Sequence, residues 1–103
     1  MERNIVLIGM MGGGKSTVGG LLAQRLGREP ADTDALIEAR QGRSIPDIFA
    51  RDGEPAFRAM ELELCRELSR RRGLVIACGG GLPLQEEAIA ALQENGLVFW
   101  LDR

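Results

Sequence analysis

The chain has 103 residues, 45% of them hydrophobic and 27% charged, the length and composition of one globular domain over 1–103 rather than of two or of a disordered tail. Thirteen basic residues against fifteen acidic ones give a net charge of -2, without the basic excess that a nucleic-acid partner requires. Histidine and tyrosine are absent and Lys15 is the sole lysine. Histidine triads and histidine-ligated metals are therefore excluded, and chemistry falls to Asp, Glu, Lys, Arg, Ser, Thr or backbone.

In chain order, Ile5-Val6-Leu7-Ile8 is a β-branched apolar run ending at Gly9, the pattern of a central parallel strand buried on both faces. It is too short for a signal-peptide core or a membrane span, so a cytoplasmic location with no membrane partner is expected. Val18, Leu21, Leu22 and Leu26 recur at helical spacing and predict a helix stopped by Gly27. Arg28 to Asp32 is a weak strand, which Pro30 confines to an edge. Short helices follow over 35–41 and from a Ser44 cap to Gly53. A longer one runs from Pro55 to Arg72, with Phe57, Met60, Leu64 and Leu68 as its stripe and Arg70 to Arg72 complementing its dipole.

Leu74 to Cys78 is a second buried strand, followed by Gly79-Gly80-Gly81 and a helix from about Gln85 with Ala88, Ile89 and Leu92 inward. Leu97 to Leu101 is a third strand, in which Trp100 is expected to pack rather than to stack on a base. Strands alternating with helices predict an α/β fold with a mostly parallel sheet and ligands at the carboxyl ends of the strands. Cys65 and Cys78 have no metal-ligand company and read as small buried hydrophobes.

Gly9-Met10-Met11-Gly12-Gly13-Gly14-Lys15-Ser16 matches G-x-x-x-x-G-K-[ST] in full, with a strand before it and a helix after it. Glycines let successive backbone N–H groups face inward as an anion cradle at a helix N-terminus. Lys15 then reaches the β- and γ-phosphates of ATP, and the Ser16 hydroxyl binds Mg2+. Asp32 and Asp34, if extended, point the same way and divide their work between a metal's water shell and a substrate hydroxyl. Taken alone, a turn with Asp34 capping the next helix accounts for them more simply.

Arg58 shares a helix face with Glu54 and Glu61, an arrangement that preorganises a fork for an acidic ligand. Alone it equally describes a solvated ion-pair ladder. Three consecutive glycines at 79–81 are costly unless backbone must approach something closely.

Together, the phosphate loop, Asp32-x-Asp34, Phe49-x-x-x-Gly53-Glu54-x-x-Phe57-Arg58-x-x-Glu61 and the glycine triplet, in this order, resemble the shikimate kinase family over essentially the whole chain. The resemblance implies a P-loop NTPase fold of the nucleoside-monophosphate-kinase-like kind and transfer of the ATP γ-phosphoryl group to the 3-hydroxyl of shikimate. It implies that Gly12, Gly13, Gly14, Lys15, Ser16 and Thr17 hold ATP, with Mg2+ on Ser16 and on Asp32 through water. Asp34 would hold substrate hydroxyls and serve as base beside Lys15, and Arg58 would pair with the shikimate carboxylate, supported by Glu61. Gly79, Gly80 and Gly81 would lie against the ring.

Cys78 stands where the family commonly has Thr or Ser. The family also continues past the strand ending near Asp102 with an arginine-bearing lid, a further strand and an adenine-contacting loop. The chain is therefore expected to be the N-terminal two-thirds of such an enzyme, its sheet incomplete at the C-terminal strand, and to show little turnover by itself. The whole enzyme is expected to be monomeric, and the 103 residues to self-associate through an apolar edge. A gluconate-type kinase and a non-catalytic nucleotide-binding fragment are the alternatives.

Overall fold

The computed structural model describes residues 3–9 and 14–101. Strands β1 (Asn4–Gly9), β2 (Glu29–Asp32), β3 (Leu74–Ala77) and β4 (Gly96–Leu101) form one sheet of order β2-β3-β1-β4, with every pairing parallel. Helix α1 (Gly14–Leu26) connects β1 to β2. Helices α2 (Thr33–Gln41), α3 (Ile45–Asp52) and α4 (Glu54–Ser69) lie between β2 and β3, and α5 (Glu86–Gln93) between β3 and β4. The expected central strand is β1, the Pro30 strand is an edge, and Leu7, Ala77 and Asp32 align across three strands at their carboxyl ends.

Side chains alternate between the two faces of a strand, and the core divides accordingly. Val6, Ile8, Leu74 and Ile76 join Ile37, Ile48, Phe57, Leu64, Leu68 and Leu92 of α2 to α5 in the larger cluster. Leu7 and Val75 face the other way and meet Ala23 of α1.

Of the helically spaced apolar residues of α1, Leu22 packs against this second cluster, while Val18, Leu21 and Leu26 are exposed. The helix docks mainly through Gly19 and Ala23, where a Cβ on Gly19 would stand 3.6 Å from Ala77 Cβ and Leu7 Cδ1. Small residues win the contact because they let the helix backbone come close to the sheet. Leu97, Phe99 and Trp100 of β4 are exposed as well, so Trp100, 64% accessible, does not pack as expected. Between α1 and β4 an apolar groove of about 340 Å³ is lined by Ile5, Leu7, Val18, Leu22, Phe99 and Leu101.

Helix α4 ends at Ser69, with Arg70 as its cap, so Arg71 and Arg72 lie beyond the helical turn in which the sequence placed them. Arg71 pairs with Glu29 of β2 at 2.9 Å. Its carbonyl accepts from Asn4 Nδ2 at 3.0 Å and from Asn95 Nδ2 at 2.8 Å. Asn4 is fully buried and also bonds Leu68 O and the N–H of Leu74, tying the start of β1 to the turn between α4 and β3.

Both cysteines are free and buried, as expected. Burial pushes the Cys65 thiol up to about 12 and the Cys78 thiol up as well.

Asn4→Ala should take the side-chain acceptor from the buried Leu74 N–H and one donor each from the Leu68 and Arg71 carbonyls, which keep their other partners. It is expected to cost about 2–4 kcal/mol of stability, measured by urea denaturation with an unchanged m-value.

Candidate active site

The carboxyl ends of β1, β2 and β3 are stitched together by the residues just beyond them. The Cys78 N–H donates to Leu7 O at 3.0 Å. The Gly79 N–H donates to the buried hydroxyl of Thr33 at 2.9 Å. Thr33 is the functional position that sequence reasoning passed over. It sits between two acidic residues, and its partner lies 46 positions away, so no local pattern marks it.

Helix α2 begins at Thr33, so Asp32 and Asp34 do not share an extended strand. Asp32 is the helix cap: its carboxylate accepts from the Ala35 N–H at 3.1 Å. The capping role considered for Asp34 therefore belongs to Asp32, and Asp34 is left to project from the first turn toward the glycine run. Burial, followed by the neighbouring Asp32 and Glu38, raises the Asp34 carboxyl above its ordinary value, while Lys15 and Arg58 pull it down. Those two cations therefore lie within electrostatic reach of it.

Lys15 sits in the first turn of α1 and is buried, with Nζ donating back to Gly9 O. Gly9 has φ 91°, a left-handed conformation natural to glycine, and a Cβ there would stand 2.6 Å from Leu101 O. Gly12 and Gly13 lie outside the described residues. Gly14 opens α1, with Ser16 and Thr17 in its first turn.

The longer motif is explained on α3 and α4. Phe49 meets Phe57 edge to face at 5.0 Å, and Gly53 turns the chain from one helix into the next. Arg58 stands over the Phe57 ring at 5.3 Å. Its NH1 donates to Glu61 Oε1 at 2.7 Å, and its Nε and NH2 each lie 3.2 Å from Glu54 Oε2. Glu61 is 1% exposed and Arg58 25%, so this is no solvated ladder. Burial raises the Glu61 carboxyl, while Arg58 and Gln85 hold it down.

The glycine triplet joins these groups. A Cβ on Gly79 would stand 2.3 Å from Asp34 Oδ1, and one on Gly81 would stand 2.4 Å from Arg58 NH2. Close approach is thus the reason for the glycines, and the groups that approach are Asp34 and Arg58 themselves. The Asp34 carboxylate and the Arg58 guanidinium, from α2 and α4, thus lie against Gly79 and Gly81 just beyond the end of β3, with Lys15 within electrostatic reach of Asp34.

Among the described residues no cluster of three or more His, Cys, Asp or Glu could cage a metal. A Mg2+ ion that arrives with a nucleotide keeps several waters and takes phosphate oxygens with only one or two protein ligands, so it would need no such cluster.

No helix among the described residues is long and apolar enough to cross a membrane. A family model described as shikimate kinase matches residues 11–103. A shikimate kinase of Symbiobacterium thermophilum is 52% identical over 99 residues, 96% of this chain and 57% of its own. One of Geobacillus thermodenitrificans is 52% identical over 102 residues, 98% of this chain and 54% of its own.

Among solved structures, the Acinetobacter baumannii shikimate kinase in complex with shikimate superposes with a TM-score of 0.93 at 44% identity. It covers 98% of this chain, which spans 56% of that one. A gluconokinase from Sinorhizobium meliloti, at 20% identity and TM-score 0.61, shares the fold alone. The chain spans a little over half the length of the relatives it matches.

Two predictions follow from the geometry. Gly81→Ala puts a Cβ 2.4 Å from Arg58 NH2, so it should displace the guanidinium from its pair with the buried Glu61, lower the melting temperature and raise the KM for an acidic ligand. An unchanged KM would separate Gly81 from Arg58.

Asp34→Asn removes a half-buried carboxyl whose folded value is raised. Because the folded value is raised, the stability tied to its proton is full below about pH 4 and lost as pH rises through the folded value. The variant should therefore be more stable than wild type at about pH 7 and indistinguishable from it at about pH 3, read from denaturation at both.

Proposed function

The chain belongs to the shikimate kinase family, and from that premise we propose that it carries the site that transfers the γ-phosphoryl group of ATP to the 3-hydroxyl of shikimate. One observation carries this reading: Asp34 and Arg58 converge on the glycine run at the end of β3. A polyhydroxylated carboxylic acid offers a hydroxyl to the one group and a carboxylate to the other.

Arg58, clamped by Glu61 and Glu54, presents what remains of its donor fork to the acceptor carboxylate. Gly79 and Gly81 leave room for Asp34 and Arg58 to close on the backbone, and the ring would lie against Gly79, Gly80 and Gly81 beside them. Asp34 accepts the proton of the attacking hydroxyl, and its raised carboxyl brings it nearer to the pH at which a base works best. Lys15 follows the charge on the β- and γ-phosphoryl oxygens, held with the peptide N–H groups of Gly12 to Thr17. Mg2+, carried by ATP, would be held by Ser16 and through water by Asp32, where it neutralises phosphate charge. Catalysis is then largely positioning and electrostatic stabilisation.

The free, buried cysteines fit a reducing cytoplasm, and the 103 residues fit one domain. The apolar groove and the bare β4 edge favour self-association of these 103 residues on their own, with the whole enzyme a monomer. The gluconate-type alternative finds no support beyond the fold.

In the complete natural chain carrying these residues, ADP formation should depend on shikimate and not on gluconate. Arg58→Lys, which keeps charge and loses the planar fork, should raise the shikimate KM by a factor equivalent to about 1.5–3 kcal/mol and leave the ATP KM unchanged. Lys15→Ala should abolish transfer without unfolding the chain. Turnover that ignores shikimate would refute the acceptor, and activity of Lys15→Ala within a few-fold of wild type would remove Lys15 from the mechanism.

A further inference from the structure

Glu61 is the best-buried charge near the proposed acceptor site, and its hydrogen bonding is lopsided. Oε1 receives both Arg58 NH1 and Gln85 Nε2, each at 2.7 Å. Oε2 is buried and has no partner among the described residues. A carboxylate so desolvated is costly to keep ionised and gains stability from each donor aimed at it. Gln85 is the second of those donors, and it comes from the opposite side.

Gln85 follows the 3-10 turn Leu82–Leu84, which leads directly from the glycine run, and it caps α5 with its backbone. The side chain is therefore mounted on the β3–α5 connection, while its target belongs to α4. It links the segment that carries Gly79 to Gly81 with the helix that carries Arg58.

We propose that Gln85 is a positioning residue for acceptor recognition: its amide fixes the buried Glu61 carboxylate, which in turn holds the Arg58 guanidinium against Gly81, facing the acceptor carboxylate. This rests on the acceptor reading given above. Arg58 NH2 would lie only 2.4 Å from a Cβ at Gly81, so a small rotation of the guanidinium moves its fork relative to the peptide beside which the ligand sits. With Arg58 alone, one oxygen of Glu61 would be free to swing on its side chain. With Gln85 added, Oε1 is held from two elements at once. Glu54 cannot substitute, because it is exposed and on the same helix as Arg58.

The test uses the complete natural chain. Gln85→Met keeps length and removes the donor. It should raise the shikimate KM about tenfold, with kcat and the ATP KM nearly unchanged. The methyl ester of shikimate presents no anionic carboxylate, so its KM should not respond. In an Arg58→Ala background the same change should add nothing. Gln85→Glu, of the same shape but with a carboxylate facing Glu61, should raise the shikimate KM further.

A shikimate KM unchanged by Gln85→Met yet raised by Arg58→Lys would overturn the role of Gln85 and leave the acceptor reading intact. Unchanged values in both variants would overturn the acceptor reading and this inference with it. Equal losses for shikimate, its ester and ATP, or failure of both Gln85 variants to fold, would make Gln85 structural and overturn the assignment.

Discussion

Two missing methyl groups organise the candidate site. Asp34 and Arg58 come from different helices, and each occupies the space that a Cβ at Gly79 or Gly81 would fill. The peptide after β3 thereby becomes a floor on which an acid and a base stand side by side. Everything else in the arrangement supports that floor: Thr33 holds the Gly79 N–H, Leu7 holds the Cys78 N–H, and the parallel register brings β1 and β2 to the same level. A side chain at either glycine would displace Asp34 or Arg58.

Charge near this floor is arranged against stability. Asp34 and Glu61 both have carboxyls raised by burial, and a buried ion pair is weak support for a fold because desolvation offsets its attraction. What it secures is direction. Arg58 is held by one buried and one exposed carboxylate and by the Phe57 ring beneath it, so its fork is set before a ligand arrives and less ordering cost falls on binding.

The two faces of the sheet are unequally covered. Helices α2 to α5 bury one face in the larger cluster, whereas α1 alone meets the other, through Gly19 and Ala23. That asymmetry leaves Leu21, Leu26, Phe99 and Trp100 in solvent and leaves the outer edge of β4 unpaired among the described residues. The cradle side of the sheet is unaffected, since β1 is flanked on both sides and its carboxyl end is reached by Lys15.

Much of the protein was legible in its sequence, because the signals involved are local. The strand at 4–9, the edge strand marked by Pro30, the Ser44 cap and the stripe of α4 each follow from spacing, ring geometry or a single hydrogen bond within a few residues. The order of motifs likewise pointed to Lys15, Asp34, Arg58, Glu61 and the glycine triplet as candidates, and the structure brings Asp34, Arg58 and Glu61 together around Gly79 and Gly81.

Other features came only with the tertiary structure. Periodicity marked Val18, Leu21 and Leu26 as apolar but could not say which face meets the sheet, and close backbone approach selected the glycine and alanine face instead. Whether Asp32 or Asp34 caps α2 depended on where β2 releases the chain. The roles of Asn4, Thr33 and Gln85 are set by partners 24 to 70 residues away. A polar side chain carries no mark in sequence of the distant group it will satisfy, and folding alone puts the two within hydrogen-bond reach.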